Sequence, residues 1–438
     1  MRPLARRARV ALAATTIAVL VATFARAVRP IAAIPGSDVT EYEAYGSRML
    51  HGELPYRDFR MEYPPGATLV FVLPATRVLA GGSTEGASWS SPPNSAAERY
   101  YHGFTLLVLV LLATVVVLTT LTLGAVARPA GAVLLALAVI AASPLLLERV
   151  LTERFDIWPA ALTAAALAAA VHGHHRIGGL LLGVGAAAKL YPALLLPTLA
   201  IVAVRQRGRR EGLWVTGVAA AAAAAIMLPF AIVSPSDTGS ALAVQLRGGL
   251  QIETLASSVL VMAGHAIEVG GAFGFPAPPR FSTHGAGSGL NRSDLAGPGV
   301  AETKVLMNAL LAASLCLLWL GAIRSRRDPR EDLLRFAAAT VALVLVLGTV
   351  LSPQYLVWLV PLVPLVAGKR GVLAMLLFAV AAALTNIWIP DHYFEFQDSL
   401  LAGQGTLLLA RNLALLAIAA VLLVPDELQA LKRPRAVV

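Results

Sequence analysis

The chain has 438 residues, of which 57% are hydrophobic and only 14% charged, and its mean hydropathy is +0.73. Soluble domains carry about a quarter charged residues, so this composition excludes an ordinary soluble enzyme and predicts an all-α polytopic integral membrane protein. The net charge of +10 comes from basic residues in short segments, which is typical of cytoplasmic loops and not of a nucleic-acid-binding surface.

The N-terminus combines a basic segment, residues 1–10, with an apolar stretch that ends at Phe24. This pattern is shared by signal peptides and by first membrane helices, and residues 25–27 resemble a small-x-small cleavage site. Because Arg26 lies inside that site, we expect the segment to be retained as the first membrane helix.

Apolar segments of membrane-spanning length follow along the whole chain. The predicted spans cover residues 10–28, 101–127, 130–147, 157–171, 213–233, 301–323, 332–350, 353–367, 370–389 and 405–425. Residues 177–204 are also apolar except for Lys189, which Tyr191 and Pro192 follow. A single helix there would put the basic segments 172–176 and 205–210 on opposite sides of the membrane, so we predict a hairpin of two short spans. The pattern predicts about 12 transmembrane helices with both termini in the cytoplasm.

This topology makes residues 29–100 the first extracytoplasmic loop of one transmembrane domain that covers residues 1–438. Residues 66–80 within it are apolar but short, and they include Pro74 and Arg77. We therefore predict that they form an interfacial helix and not a further span.

Polar residues of the predicted outer loops are the candidates for a site. Asp38 could take a proton from a sugar hydroxyl, although Asp38-x-x-Glu41 is also typical of a helix start. Lys189 lies in an apolar setting, where a cation indicates either a functional site or a side chain that reaches for the interface. The candidate substrate-binding residues are Glu41, Tyr42, Tyr63, Arg149, Arg154, Asp156, Lys189, Tyr191, Arg247, Gln251, Glu253, Gln354 and His392. For Arg149 and Arg154 the alternative is an ordinary surface ion pair.

Several motifs together resemble one family. Asp38, the later segment Gly52…Pro55-Tyr56, and Tyr63-Pro64-Pro65 are similar to the first outer loop of the polyprenyl-phosphomannose-dependent α-mannosyltransferases, glycosyltransferase family 87 of the GT-C superfamily. Further similar blocks are Gly185…Lys189-Leu190-Tyr191-Pro192, Gln251-Ile252-Glu253 and Ser352-Pro353-Gln354-Tyr355. The motifs occur in the family's order between about residue 10 and residue 425.

The resemblance implies a GT-C-like fold in a bacterial plasma membrane with an extracytoplasmic active site. It implies a polyprenyl-phosphate donor, with mannose as the sugar, and a glycolipid or cell-envelope glycan as the acceptor. Asp38 would be the catalytic base of an inverting transfer, and Lys189, Arg247, Arg149 or Arg154 would stabilise the departing lipid phosphate. Some relatives hold a cation with paired acids. Asp38 has no acidic neighbour, so we predict no metal ligands and leave a divalent cation open as an alternative.

Two other classes of protein compete with a glycosyltransferase. A transporter or flippase of a polar lipid or envelope precursor would need charges near the membrane midplane on broken helices, and Lys189 is the one candidate. A non-catalytic assembly factor for the envelope is the other. The two alternatives differ from an enzyme in one respect, because neither would depend on the carboxylate of Asp38.

Overall fold

A computed structural model describes residues 5–28, 37–79, 96–247, 249–269, 282–284, 294–389 and 391–424. Parts of the predicted outer loop, residues 29–36 and 80–95, lie outside these ranges. The described helices are α1 (Arg6–Ala27), α2 (Asp38–Leu50), α3 (Thr68–Leu79), α4 (Ala96–Ala125), α5 (Ala130–Leu147), α6 (Arg149–Thr152), α7 (Ile157–Val171), α8 (His175–Ala188), α9 (Leu196–Arg207), α10 (Arg209–Val233), α11 (Pro235–Arg247), α12 (Leu255–Val269), α13 (Val300–Arg324), α14 (Pro329–Leu347), α15 (Gly368–Trp388), α16 (Asp391–Ser399) and α17 (Ala402–Leu423).

Shorter elements connect these helices. Within the described ranges, 3₁₀ helices cover Pro65–Ala67, Tyr191–Leu195, Pro353–Leu359 and Val363–Leu365. Strands β1 (Ser282–His284) and β2 (Asp294–Ala296) form an antiparallel pair in which Thr283 is opposite Leu295. The described residues are thus almost all helical or in short connections, as the apolar composition predicts.

Seven of the described helices are long and apolar enough to cross a membrane, namely α1, α4, α5, α10, α13, α15 and α17. The prediction of an all-α polytopic membrane protein is therefore confirmed as a class of fold. The remaining predicted spans fall on α7, α8, α9, α14 and the 3₁₀ helices of residues 353–365, which are shorter or less apolar. The count of about 12 spans stays a prediction.

The chain reverses at Lys189, as the charge pattern predicts. Helix α8 ends because Lys189 adopts an extended backbone (φ −159°, ψ 138°), and Pro192 then begins a 3₁₀ turn that leads into α9. A Cβ placed on Gly178, in the first half of α8, would lie 3.2 Å from Leu199 of α9. The two helices therefore form a hairpin, with Lys189 at its turn.

Basic side chains join helix ends at one end of the bundle, which we call the basic end. Arg128, before α5, binds the Glu331 carboxylate with two bonds of 2.6 and 2.7 Å. Arg205, near the end of α9, binds Asp332 of α14 at 2.5 Å. Arg335 of α14 donates to the carbonyl of Leu422 at the end of α17. The turn at Lys189 and the start of α2 lie at the opposite end, which carries most of the candidate residues.

Helix α3 covers most of the segment predicted to be interfacial. Its Val70 and Phe71 are buried, whereas Leu69 and Leu73 are nearly half exposed. One face packs against α2 and α4, and the other leaves apolar side chains at the protein surface. A helix with one buried face and one exposed apolar face is compatible with a position at the membrane interface. The interfacial position of α3 stays a prediction.

Candidate active site

The start of helix α2 does not use the Asp38 carboxylate as its cap. The hydroxyl of Ser37 accepts a hydrogen bond from the Val39 amide at 3.2 Å, so Ser37 is the N-cap. Asp38 is the first residue of the helix, so the pattern indicated the helix start correctly, but the capping group is the Ser37 hydroxyl and not the Asp38 carboxylate. Its position in the first turn suits a carboxylate, since the helix dipole favours negative charge there.

Three side chains surround this carboxylate. The Arg154 guanidinium contacts Asp38 Oδ2, and the hydroxyls of Tyr42 and Tyr63 lie 3.4 and 3.5 Å from the same oxygen. The side chain of Asp38 is 17% exposed and that of Arg154 is 28% exposed. The structure thus brings four predicted site residues together around a carboxylate whose side chain is partly exposed.

The two tyrosines are held in place by aromatic packing. The Tyr42 ring stacks on Phe71 with ring centroids 4.6 Å apart, and the Tyr63 ring meets Phe155 edge-on at 5.0 Å. Burial raises the pKa of the Tyr42 and Tyr63 phenols well above the ordinary value. Both phenols therefore stay protonated and can donate hydrogen bonds to Asp38.

A close backbone approach sets the position of Tyr63. The turn that contains Tyr63 ends at Gly66, where a Cβ atom would lie 2.6 Å from the backbone of Ala187 and Ala188. Glycine is required at such a contact. The Trp158 indole also donates to the Gly66 carbonyl at 3.2 Å. These contacts dock the turn on the end of α8, next to Lys189.

A second polar group lies directly behind this cluster. Asp156 is almost fully buried, and its Oδ1 accepts from Lys189 Nζ at 2.6 Å and from the Trp358 indole at 2.7 Å. The Lys189 ammonium also lies 5.1 Å from the ring centre of Phe155 and 4.8 Å from that of Tyr355. Lys189 is therefore paired with a carboxylate of the protein itself.

Tyr191 packs near this pair, and Gln354 lies in the 3₁₀ helix that also carries Trp358. Tyr191 stacks on Trp358 with ring centroids 4.1 Å apart, and its hydroxyl lies 3.1 Å from that of Thr163. Gln354 is half-buried, next to Tyr355 in the 3₁₀ helix Pro353–Leu359. Tyr191 is linked to the Asp156–Lys189 pair through Trp358, which donates to Asp156.

Gln251 and Glu253 lie in a buried loop before α12. The Gln251 side chain accepts from the Leu351 amide at 3.0 Å. The Glu253 carboxylate lies 3.5 Å from Arg411 of α17, and its carbonyl accepts from Arg411 at 2.8 Å and from Asn412 at 3.1 Å. Burial raises the pKa of Glu253 to about 8, against the lowering influence of Arg411 and Arg154. Glu253 therefore joins this loop to α17 through Arg411.

The other predicted binding residues lie apart from Asp38 or are engaged elsewhere. Glu41 accepts from the Tyr45 hydroxyl, Arg149 pairs with Glu153 at 3.0 Å, and His392 lies 3.6 Å from Glu395. Arg247 is the last residue of α11, and its side chain lies outside the described part of the structure. In the described ranges, no group of His, Cys, Asp and Glu side chains could hold a metal ion.

Sequence reasoning missed the residues that hold the site together. In the sequence, Phe155 and Trp358 look like ordinary apolar residues, and no local pattern distinguishes them from other residues of the core. Arg411 and Asn412 could have been found, because they lie within the apolar segment 405–425, where polar residues indicate a function or a specific partner.

Together, the seven long apolar helices and the carboxylate, arginine and tyrosines at one end of the bundle define a multi-pass membrane protein with a polar site. The family model for glycosyltransferase family 87 matches residues 62–353, which is more than half of the chain. The chain belongs to glycosyltransferase family 87 and is a membrane glycosyltransferase. The matched range includes Tyr63, Arg154 and Lys189, whereas Asp38 precedes it and His392 follows it. A comparison with curated proteins finds no match.

Proposed function

We propose that the protein transfers a sugar, with mannose as the first choice, from a polyprenyl-phosphate donor to a glycolipid or cell-envelope glycan. The observation that carries the proposal is the contact between Asp38 and Arg154, a base and a cation side by side in an accessible position. A glycosyl transfer that releases a phosphate needs a base near the attacking hydroxyl and a cation near the departing phosphate, on opposite sides of the anomeric carbon. Family membership supports the reaction class.

In the proposed reaction, Asp38 takes the proton of an acceptor hydroxyl as its oxygen attacks the anomeric carbon. The bond from that carbon to the phosphate oxygen breaks, and its electron pair stays on the lipid phosphate. A single displacement inverts the anomeric centre, so a β-linked mannosyl donor gives an α-linked product. The leaving group is already anionic and needs a cation more than it needs a proton.

Among the candidate cations whose side chains the structure describes, Arg154 is the best placed for that phosphate. Its guanidinium is partly exposed and contacts Asp38, whereas Lys189 is held by Asp156 and Arg149 by Glu153. A guanidinium also matches the geometry of a phosphate with two parallel hydrogen bonds. We therefore assign binding of the donor phosphate to Arg154. We propose that Lys189 is a positioning residue, because it binds Asp156 and so holds the segment that carries Arg154.

The proposed topology puts this reaction on the extracytoplasmic face of a bacterial plasma membrane. In it, the seven long helices are joined by α7, α8, α9, α14 and residues 353–365 to make about 12 spans. The basic end would face the cytoplasm, as the positive-inside rule expects. The site at the opposite end would then face a donor that lies in the outer leaflet. The transporter alternative depended on a charge at Lys189, and Asp156 neutralises that charge. Nothing in the described part of the structure supports this alternative.

A transfer assay tests the proposal. The purified protein is incubated with synthetic polyprenyl-phosphate mannose and octyl α-mannoside, in parallel with donors that carry other sugars and with a nucleotide sugar. We expect transfer from the lipid donor and none from the nucleotide sugar, and an α linkage in the product by NMR. Transfer from the nucleotide sugar, or retention of the β configuration, would contradict the proposal.

A further inference from the structure

A cavity of about 470 Å³ opens beside the site, between the segment that follows α2 and the first turns of α11. It is lined by Tyr56, Arg57, Asp58, Phe59, Arg60, Met61, Glu62, Asp237, Ser240 and Ala241. This volume lies within the range of about 300–1,000 Å³ that small-molecule sites occupy. The side chains of Arg57 and Asp58 are 51% and 30% exposed, so the cavity is open to the surroundings.

The wall at Tyr56 is held in an unusual backbone conformation. Tyr56 has a φ of +69°, which non-glycine residues adopt rarely and which concentrates at ligand-binding sites. Its amide donates to the Phe59 carbonyl at 2.8 Å, and its carbonyl accepts from Ser234 at 3.0 Å. Neighbouring groups thus fix Tyr56 where it bounds the cavity.

The charges of the cavity nearly balance. Arg57 pairs with Asp58 at 2.7 Å, and Asp237 accepts from the Ser234 hydroxyl at 2.9 Å. Arg60 and Glu62 bring one further charge of each sign. A cavity that is rich in donors and acceptors, but close to neutral, suits an uncharged ligand with many hydroxyls, each of which both donates and accepts.

The wall of the cavity is also linked to the proposed base. The Tyr56 hydroxyl donates to the Tyr63 carbonyl at 2.5 Å, and the Tyr63 hydroxyl lies 3.5 Å from Asp38 Oδ2. Glu62, which lines the cavity, is the chain neighbour of Tyr63. Tyr63 therefore links the wall of the cavity to the carboxylate that would activate a hydroxyl.

From these observations, we infer that the cavity binds an uncharged, hydroxyl-rich glycosyl unit of the acceptor and presents one of its hydroxyls towards Asp38. The link to Asp38 rests on the proposed function, whereas the recognition of a neutral glycosyl unit rests on the cavity alone. The same chemistry occurs at the headgroup of a glycolipid and at the end of an envelope glycan, so the experiment has an arm for each source.

Two exposed serines of α11 provide a matched pair of variants. Ser240 lines the cavity, and Ser236 lies one turn earlier on the same helix, does not line it, and is also exposed. In the full-length protein, Ser240→Trp should raise the KM for octyl α-mannoside at least about tenfold and leave the KM for the lipid donor unchanged. Ser236→Trp should change neither constant. Equal effects of the two variants, or an unchanged acceptor KM in Ser240→Trp, would overturn the inference.

Photolabelling tests binding without catalysis. A mannobioside that carries a diazirine is photolysed with the wild-type protein, and the adducts are located by mass spectrometry. We expect them on residues 56–62 or 235–241, and we expect Ser240→Trp to remove them. Adducts elsewhere would overturn the inference even if the protein transfers mannose. Adducts here without any transfer would support the cavity and contradict the proposed function.

Competition separates the two sources of the ligand. Loss of labelling with octyl α-mannoside alone supports a glycolipid acceptor, and loss with free mannotriose supports the end of a glycan chain. If neither compound competes, the cavity does not recognise a glycosyl unit and the inference is overturned.

Discussion

Arg154 contacts the carboxylate of Asp38 at the end of the bundle opposite the basic end. The pair joins the start of α2 to the segment between α6 and α7, and both side chains are partly exposed. A donor phosphate that approaches Arg154 competes with Asp38 for the guanidinium, because a phosphate is an equally good bidentate partner. Donor binding would therefore release the base next to the bond that is to be broken.

We predict that Asp38→Asn lowers glycosyl transfer at least about 100-fold without loss of expression, because a neutral amide cannot accept the proton. Glu41→Gln is the control, since Glu41 lies in the same first turn and bonds to Tyr45 instead. Initial rates with the synthetic donor check this. Equally mild effects of both changes would show that Asp38 is not the base.

Arg154→Gln should raise the KM for the lipid donor and lower kcat, because the departing phosphate loses its cation. Arg154→Lys should recover part of the loss, since lysine keeps the charge but not the fork geometry. Arg149→Gln is the matched control, because Arg149 is held by Glu153. If Arg149→Gln has the larger effect on the KM for the donor, Arg149 and not Arg154 binds the phosphate.

Lys189→Met should lower transfer and also destabilise the protein, since it leaves Asp156 buried without a cation. Removal of one partner of a buried ion pair costs about 3–5 kcal/mol. The double variant Lys189→Met/Asp156→Asn should recover stability, as measured by thermal unfolding in detergent, but not full activity. A stable single variant with normal turnover would show that the pair neither supports the fold nor positions Arg154.

Labelling of single cysteines should reveal the sidedness of the membrane protein. After replacement of Cys316, a cysteine is placed at Arg57 or Arg207, whose side chains are 51% and 54% exposed. An impermeant maleimide added to whole cells should label position 57 and not position 207, because the basic end is predicted to face the cytoplasm. The reverse pattern would invert the proposed topology.

Glu43 should make stability depend on pH. Burial raises the pKa of this carboxyl from 4.5 to about 7, so the folded protein holds its proton more tightly than the unfolded chain. The protonated Glu43 carboxyl contributes its full share to the free energy of unfolding below about pH 4.5. This contribution is lost as the pH rises through about 7. We expect a loss of about 1–3 kcal/mol over this window and a flatter profile in Glu43→Gln. Thermal midpoints between pH 4 and 8 check this, and identical profiles would contradict it.

The sequence by itself determined the class of the protein and the region of the site. Apolar segment lengths and basic loops act locally, so they predicted a helical membrane protein and the chain reversal at Lys189. The motifs between residues 38 and 355 together predicted the family, which the match over residues 62–353 confirms. The same motifs pointed to Asp38 as the base, which no comparison tests.

Only the tertiary structure decided which partners these residues have. The sequence left four basic residues as candidates for the phosphate, and the fold neutralised Lys189 with Asp156 and Arg149 with Glu153. Trp358 donates to Asp156 from 202 positions away, and Arg411 meets Glu253 from 158 positions away. Helical periodicity relates residues a few positions apart, so it carries no information on pairs that form only when distant helices pack together.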